Sequence, residues 1–343
     1  MMSSDAVKYI TFVVPSYNSA AYLDRCIDSL LIGGDRVEII IVDDGSTDDT
    51  ASIADSYSER FPDIVRVIHK ANGGHGSCVN SGIEAARGLY FKVVDSDDRV
   101  DPEGYHKILD LLCRLTGEGH RIDMLISNYV YDKEGSRKKF VMKPKGLPEN
   151  TCFGWDEFEI KKYHFMLMHS LIYRTELLRE CGLKLPEHTY YVDNIYAFQP
   201  LPYVKMLYYV DVDFYMYYIG REGQSVSEEN LVKNIDQYIR VNEIMTRQML
   251  ESIEITDSKE CLHYMMDYLE IIMTIVCSII NIKADGSFEE KKRLWTSVRS
   301  IDPRIAKKLR HSFGVAMANL PGRVGRRVGC RAFHAVNRIV GFN

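Results

Sequence analysis

Between Leu89 and Val100 the chain reads Leu-Tyr-Phe-Lys-Val-Val-Asp-Ser-Asp-Asp-Arg-Val. Its first half is apolar, aromatic and β-branched, the signature of a buried strand, and it stops abruptly at Asp95, Ser96, Asp97 and Asp98. Three carboxylates sit at one strand end. In an open α/β sheet the carboxyl ends of the strands are where ligands bind, and carboxylate oxygens there suit a hard divalent cation that must also meet a phosphate. Taken alone, such a cluster reads as a solvated turn. The chain upstream reverses that balance.

Ile10 to Val14 reads as a first strand that stops at Pro15, which cannot donate to a central ladder. After the loop Pro15-Ser16-Tyr17-Asn18, Asn18 is a candidate N-cap. Tyr22, Leu23, Cys26, Ile27, Leu30 and Leu31 then recur at helical spacing. Val37 to Val42 is a second buried strand ending in Asp43-Asp44-Gly45-Ser46-Thr47-Asp48, with Thr47 placed to cap a helix that turns Ile53, Ala54 and Tyr57 inward. Val65 to Ile68 is a third strand. The loop after it, Lys70-Ala71-Asn72-Gly73-Gly74-His75-Gly76, opens into a helix carrying Val79, Ile83 and Ala86.

Strands alternating with helices predict an α/β fold with a mostly parallel sheet covered on both faces. The polar clusters at Tyr17, Asp43 to Asp44, Asn72 to His75 and Asp95 to Asp97 all come after strands, so they gather on one sheet edge as a nucleotide-sized site. The glycine loop has neither a P-loop ending nor the G-x-G-x-x-G order of a dinucleotide fold, and by itself it reads equally as a structural turn.

Asp123 to Ser127 reads as a fifth strand, Tyr131 to Gly146 as a lysine-rich connection, and Phe153 to Met168 as a segment of mixed helical periodicity. Phe214 to Ile219 is an aromatic strand followed by Gly-Arg-Glu-Gly-Gln-Ser-Val-Ser. From Asn230 onward the pattern is helical. Ile271 to Ile282 is uncharged, but Asp267 and Glu270 leave the run short of the about 20 residues of a membrane span, so it reads as a bundle helix or a self-association face.

At 343 residues the chain has room for about two domains. Nine of its 43 basic residues and none of its 48 acidic ones come after Asp302, so an acidic body bears a basic tail. That body would repel a polyanion, which argues against nucleic acid as a partner. In the tail the basic residues interleave with Ile305, Leu309, Phe313, Val315 and further apolar positions, a pattern that suits an anionic membrane surface or packing onto protein. The eight cysteines lack Cys-x-x-Cys spacing, and the N-terminus lacks a basic and apolar leader; both point to a cytoplasmic protein with reduced thiols.

Taken together, Val-Val-Pro-Ser-Tyr-Asn at 13 to 18, Val-Asp-Asp-Gly-Ser-Thr-Asp at 42 to 48, Asn-Gly-Gly-His-Gly at 72 to 76 and Val-Asp-Ser-Asp-Asp at 94 to 98 resemble family 2 glycosyltransferases. The resemblance is dense over the first 130 residues or so and thinner over the next 100. It implies a GT-A fold at 1–228, with a nucleotide-sugar half at 1–130 and an acceptor half at 131–228, followed by a helical region at 229–343. It implies a nucleotide-sugar donor, with UDP as the first expectation, inversion at the anomeric carbon, and a divalent Mn²⁺ or Mg²⁺. Carried onto this chain, Pro15 and Tyr17 line the nucleobase pocket, Asp44 accepts from the base and Asp95 approaches the ribose. Asn72, Gly73, Gly74 and His75 border the donor, and Asp97 ligates the metal. Relatives usually carry a Glu-Asp pair at a helix start, whose Asp is the general base. Asp193 matches that Asp, Val192 stands where the Glu would be, and Glu187 is the reserve candidate. Arg221 falls where relatives close a Tyr-x-x-Arg-x-x-Ser segment over the diphosphate. The expected acceptor is a glycan or lipid-linked glycan at the inner face of the cell membrane, in cell-surface polysaccharide synthesis. Two rivals stay open: a nucleotidyltransferase, whose first loop would be Gly-rich with an Arg, and a catalytically silent nucleotide-sugar binding module.

Overall fold

The computed structural model describes residues 7–133, 139–160, 165–219, 228–283 and 287–320, with isolated positions 322 and 327. The chain divides into two compact units, one of Met1–Ile160 and Met166–Tyr218, the other of Lys161–Phe165 and Ile219–Asn343.

The first unit opens with strands and helices in strict alternation: β1 (Ile10–Ser16), α1 (Leu23–Leu31), β2 (Val37–Asp43), α2 (Thr50–Arg60), β3 (Val65–His69), α3 (His75–Ala85) and β4 (Tyr90–Val93). Then come β5 (Arg99–Val100), α4 (Pro102–Gly117), β6 (Met124–Lys133), β7 (Phe140–Met142), β8 (Cys152–Phe153), β9 (Leu171–Arg174), α5 (Thr175–Glu180), α6 (Asp193–Phe198) and β10 (Leu207–Ile219). The sheet runs β3-β2-β1-β4-β9-β6-β10-β5, with β7 on β6 and β8 on β10. Strands β3, β2, β1 and β4 are parallel, and β9 is antiparallel to both β4 and β6.

Every residue of β1, β2 and β4 is buried, as expected for strands covered on both faces. The chain order reverses between β1 and β4, and such a switch point opens a crevice at the carboxyl ends of the strands. Helix α3 crosses β1 closely: a Cβ at Gly82 would come within 2.5 Å of the Val13 side chain. That contact sets where the start of α3, and with it His75, stands relative to the crevice.

Several elements differ from the sequence expectation, each for a local reason. Pro15 does not end β1 but pairs with Val42. The Val13 carbonyl accepts from the Val94 N–H and the Ser16 carbonyl from the Asp44 N–H. Alternate residues of a strand face alternate neighbours, so Pro15 faces the β4 side, past the Val13–Val93 pair where that ladder ends. Its missing N–H costs nothing there. Asn18 is no helix cap: it sits at φ 48° and its Oδ1 accepts from the Thr47 N–H at 2.8 Å. Nor does Thr47 cap α2, since Asp48 accepts from the Thr50 N–H and hydroxyl. The expected connection after Tyr131 begins as the end of β6 and contains β7, while Phe153 to Met168 starts on the last residue of β8 and holds a 3-10 turn, Trp155–Glu157.

The second unit is helical: α7 (Glu228–Lys233), α8 (Ile235–Ile255), α9 (Lys259–Lys283), α10 (Ser287–Ile301), α11 (Pro303–His311) and α12 (Phe313–Ala318). Helix α9 extends well beyond the uncharged run. By length and composition it could cross a membrane (25 residues, mean hydropathy 1.7), yet 72% of that window is buried within the protein. The front of the basic tail packs inward too. Asp302 caps α11 by accepting from the Arg304 and Ile305 N–H groups, and Ile305, Leu309 and Val315 are buried. The Ala318 carbonyl accepts from both Asn281 and Lys291.

Candidate active site

The loops after β1, β2, β3 and β4 meet at the switch point, as the spacing of the polar clusters predicts. Asp44 is 2% exposed. Its Oδ1 accepts from the Lys70 ammonium and the Gly73 N–H, both at 2.9 Å, and its Oδ2 from the Gly74 N–H at 2.7 Å. Asn72 completes the clamp by donating to the Asp44 carbonyl at 3.0 Å. Gly74, at φ 83°, takes a conformation that a side chain would strain. Asp44 therefore shapes the glycine loop through its carboxylate. Pro15 is buried in β1, whereas the Tyr17 ring just past it is 52% exposed and free to face a flat ligand.

The turn after β4 is held from beneath by α1 and its approach loop. Ser19 and Ser96 share a 2.7 Å hydrogen bond, Arg25 donates to the Asp97 carbonyl at 2.6 Å, and the Cys26 thiol donates to the Asp95 carbonyl at 3.6 Å. The Arg25 guanidinium also lies 4.5 Å from the centre of the Tyr218 ring. The carboxylates of Asp95 and Asp98 face different surroundings. Asp95 Oδ1 meets His75 Nε2 at 2.8 Å; burial works to raise its pKa, but the His75 charge and hydrogen bond hold it below the usual carboxylate value. Asp98 is fully buried, and accepts from the Tyr215 hydroxyl at 2.5 Å and the Tyr218 N–H at 2.7 Å. Burial, with Asp97 and Asp95 beside it, raises Asp98 well above the ordinary range. Burial also opposes the charge on His75, and Asp95 outweighs it to raise the His75 pKa.

Asp193 reaches the same place from the far half of the chain. The segment before it is tied to α3: Asn80 exchanges two hydrogen bonds with the backbone of Leu185, and the His188 N–H donates to the Gly73 carbonyl at 2.7 Å. Asp193 then opens α6 without capping it, and its Oδ1 accepts from the Asn194 side chain. Burial pushes its carboxyl up to about 6, with the His75 charge working against that rise and Asp95 adding to it. A carboxylate poised near neutrality is what proton abstraction from an alcohol requires. The reserve candidate Glu187 is engaged by the Ser77 hydroxyl at 3.2 Å. Arg221 lies outside the described residues.

Three groups at this site have no counterpart in the sequence expectations. Lys92, in the middle of β4, is fully buried and donates to the carbonyls of Met168, His169 and Leu171. Burial lowers its pKa well below the usual lysine value. A lone charge inside an apolar run was the available signal. His169 and Arg25 had none, because their partners lie far away in the chain.

Residues 11–178 match the model of Glycosyl transferase family 2. The chain is 32% identical over 222 residues to the uncharacterised glycosyltransferase EpsJ of Bacillus subtilis, covering 62% of this chain and 61% of EpsJ. In three dimensions it is similar to residues 1–349 of S. aureus TarS, with a TM-score of 0.64 at 18% identity over 96% of this chain and 91% of that one; TarS has also been solved with UDP and with UDP-GlcNAc. The mannosyltransferase PcManGT of Pyrobaculum calidifontis, solved with GDP-Man and Mn²⁺, superposes at a TM-score of 0.50 and 15% identity over 97% of this chain and 87% of that one.

Proposed function

Since the chain belongs to the family 2 glycosyltransferases and has their GT-A fold, we propose that it moves a sugar from a nucleoside-diphosphate donor, UDP in the first place, to a hydroxyl of a glycan or lipid-linked glycan. The observation that carries this reading is the meeting of the Asp95–Asp98 turn with Asp193, pushed up to about 6, at one sheet edge. Inversion at the anomeric carbon needs one direct displacement, with a base on the acceptor side and a stabilised diphosphate on the other. Asp193 takes the proton of the acceptor hydroxyl. Tyr17 and Pro15 flank the base, Asp95 meets the ribose and the loop at Asn72 to His75 borders the diphosphate. The turn fits a divalent ion in its donor set, since oxygens of Asp95 and Asp98 converge beside an imidazole nitrogen of His169. Such an ion, when bound, supplies positive charge to the departing diphosphate, and Asp97 is its expected ligand toward that group. The complexes of TarS with UDP and of PcManGT with GDP-Man and Mn²⁺ support this assignment.

A panel of nucleoside-diphosphate sugars, with and without Mn²⁺, tests the donor class by thermal shift. The true donor at about 100 times its dissociation constant adds about 2.7 kcal/mol. Stabilisation by no member of the panel sinks the reading.

We further infer that the tail meets an anionic membrane surface, which would place the reaction at the cytoplasmic leaflet. Phe313 is 72% exposed, next to α11 with its Lys307, Lys308 and Arg310. Because α11 and α12 pack into the second unit, the informative truncation ends at Leu320. The full chain should float with anionic vesicles at low salt and leave them as salt rises, and the truncated chain should float less. Equal flotation of the two rules out the residues after Leu320 as the anchor.

A further inference from the structure

His169 sits in a 3-10 turn, Met168–Ser170, directly before β9, and is 5% exposed. Its ring stacks on Tyr217, with centroids 4.4 Å apart and planes at 22°, and meets Tyr215 edge-on at 4.8 Å. Neither ring nitrogen has a hydrogen-bond partner among the described residues. Buried polar atoms in that state are costly and call for a reason. One is at hand: a ring nitrogen of His169, a carboxylate oxygen of Asp95 and one of Asp98 all lie within 4.8 Å of one another.

Ligand atoms held about 2.1 Å from one ion stand about 3 Å apart when adjacent and about 4.2 Å apart when opposite, so the three atoms must draw inward to close on a cation. Asp95 Oδ1 already takes His75 Nε2, and Asp98 takes Tyr215 and Tyr218, yet each carboxylate oxygen has a second lone pair to give. Lys92 is anchored beside this cluster on the carbonyls of Met168, His169 and Leu171.

We propose that His169 is a nitrogen ligand that, with Asp95 and Asp98, seats a divalent transition ion at the strand-end turn in preference to Mg²⁺. Imidazole suits ions of the Zn²⁺ and Co²⁺ type and is tolerated by Mn²⁺, whereas Mg²⁺ favours oxygen ligands throughout. The inference rests on the reading of this turn as the metal-binding element, and spectroscopy of the bound ion separates the two.

The full chain is titrated with Mn²⁺ alone and with UDP, and the bound ion is examined for ¹⁴N modulation of its electron spin echo. Nitrogen coupling is expected in the wild-type protein and in His75→Gln, and is lost in His169→Phe. The phenylalanine retains the stack on Tyr217 and removes two unsatisfied nitrogens, so the metal-free variant should melt no lower than wild type. Its Mn²⁺ affinity should fall by about 10-fold or more, with Mg²⁺ affinity little changed. Should His169→Phe fail to fold, ¹⁵N-histidine in His75→Gln still decides, because the ¹⁴N modulation must vanish on labelling. Mn²⁺ bound without nitrogen coupling overturns the role of His169 while leaving a metal-assisted reaction standing. No Mn²⁺ binding, with or without UDP, overturns both.

Discussion

Asp193→Asn should leave donor binding intact and lower turnover by about 10²-fold to 10⁴-fold, the usual span of general base catalysis. Asparagine keeps the shape and the hydrogen bond from Asn194, and removes only the basicity. The wild-type rate should rise with pH through about 6, where burial has placed the Asp193 carboxyl, and that limb should be missing from the residual rate of the variant. Linkage gives a second readout. A carboxyl raised from 3.8 to about 6 binds its proton more tightly folded than unfolded, so its contribution to stability is present at low pH and fades as pH climbs through that window. The asparagine variant has no such loss, and relative to wild type it should gain stability from about pH 4 to about pH 6. A pH-independent drop in rate, or the same behaviour in Glu187→Gln, would reassign the base.

Asp97→Ala should abolish metal-dependent transfer while the fold persists. Lewis-acid stabilisation of a departing diphosphate is worth several kcal/mol, so the loss should be about 10³-fold or larger. The turn itself should survive, because its ties run through other groups: the Asp97 carbonyl accepts from Arg25, Ser96 bonds Ser19, and the Asp98 N–H bonds the Asp95 carbonyl. Unchanged melting with lost activity is the expected pair of results. Full activity would remove Asp97 from the machinery.

Sequence reached the parallel half of the sheet and the place of the site because both depend on local pattern. The apolar runs at 10–14, 37–42, 65–68 and 90–93 form the four parallel strands, and the loop at the carboxyl end of each strand lands on one edge of the sheet. Asp193 was legible too, as an acid at a helix start. The antiparallel half was not. β9 has four residues, between a 3-10 turn and a helix, and its entry is fixed by Lys92 from 76 to 79 residues away. No window of periodicity contains that interaction. Asn18 failed as a cap for a related reason: its side chain serves the backbone of Thr47, 29 positions on. In the tail, the amphipathic pattern was real but its apolar side, Ile305, Leu309 and Val315, is already covered by the protein.

The Asp44 clamp bears on how relatives of such a protein can diverge. It holds the glycine loop through the main-chain N–H groups of Gly73 and Gly74, so the loop keeps its path without relying on the side chain of Ala71, which is exposed. A chain built this way can change the side chain displayed at residue 71 while the loop stays in place.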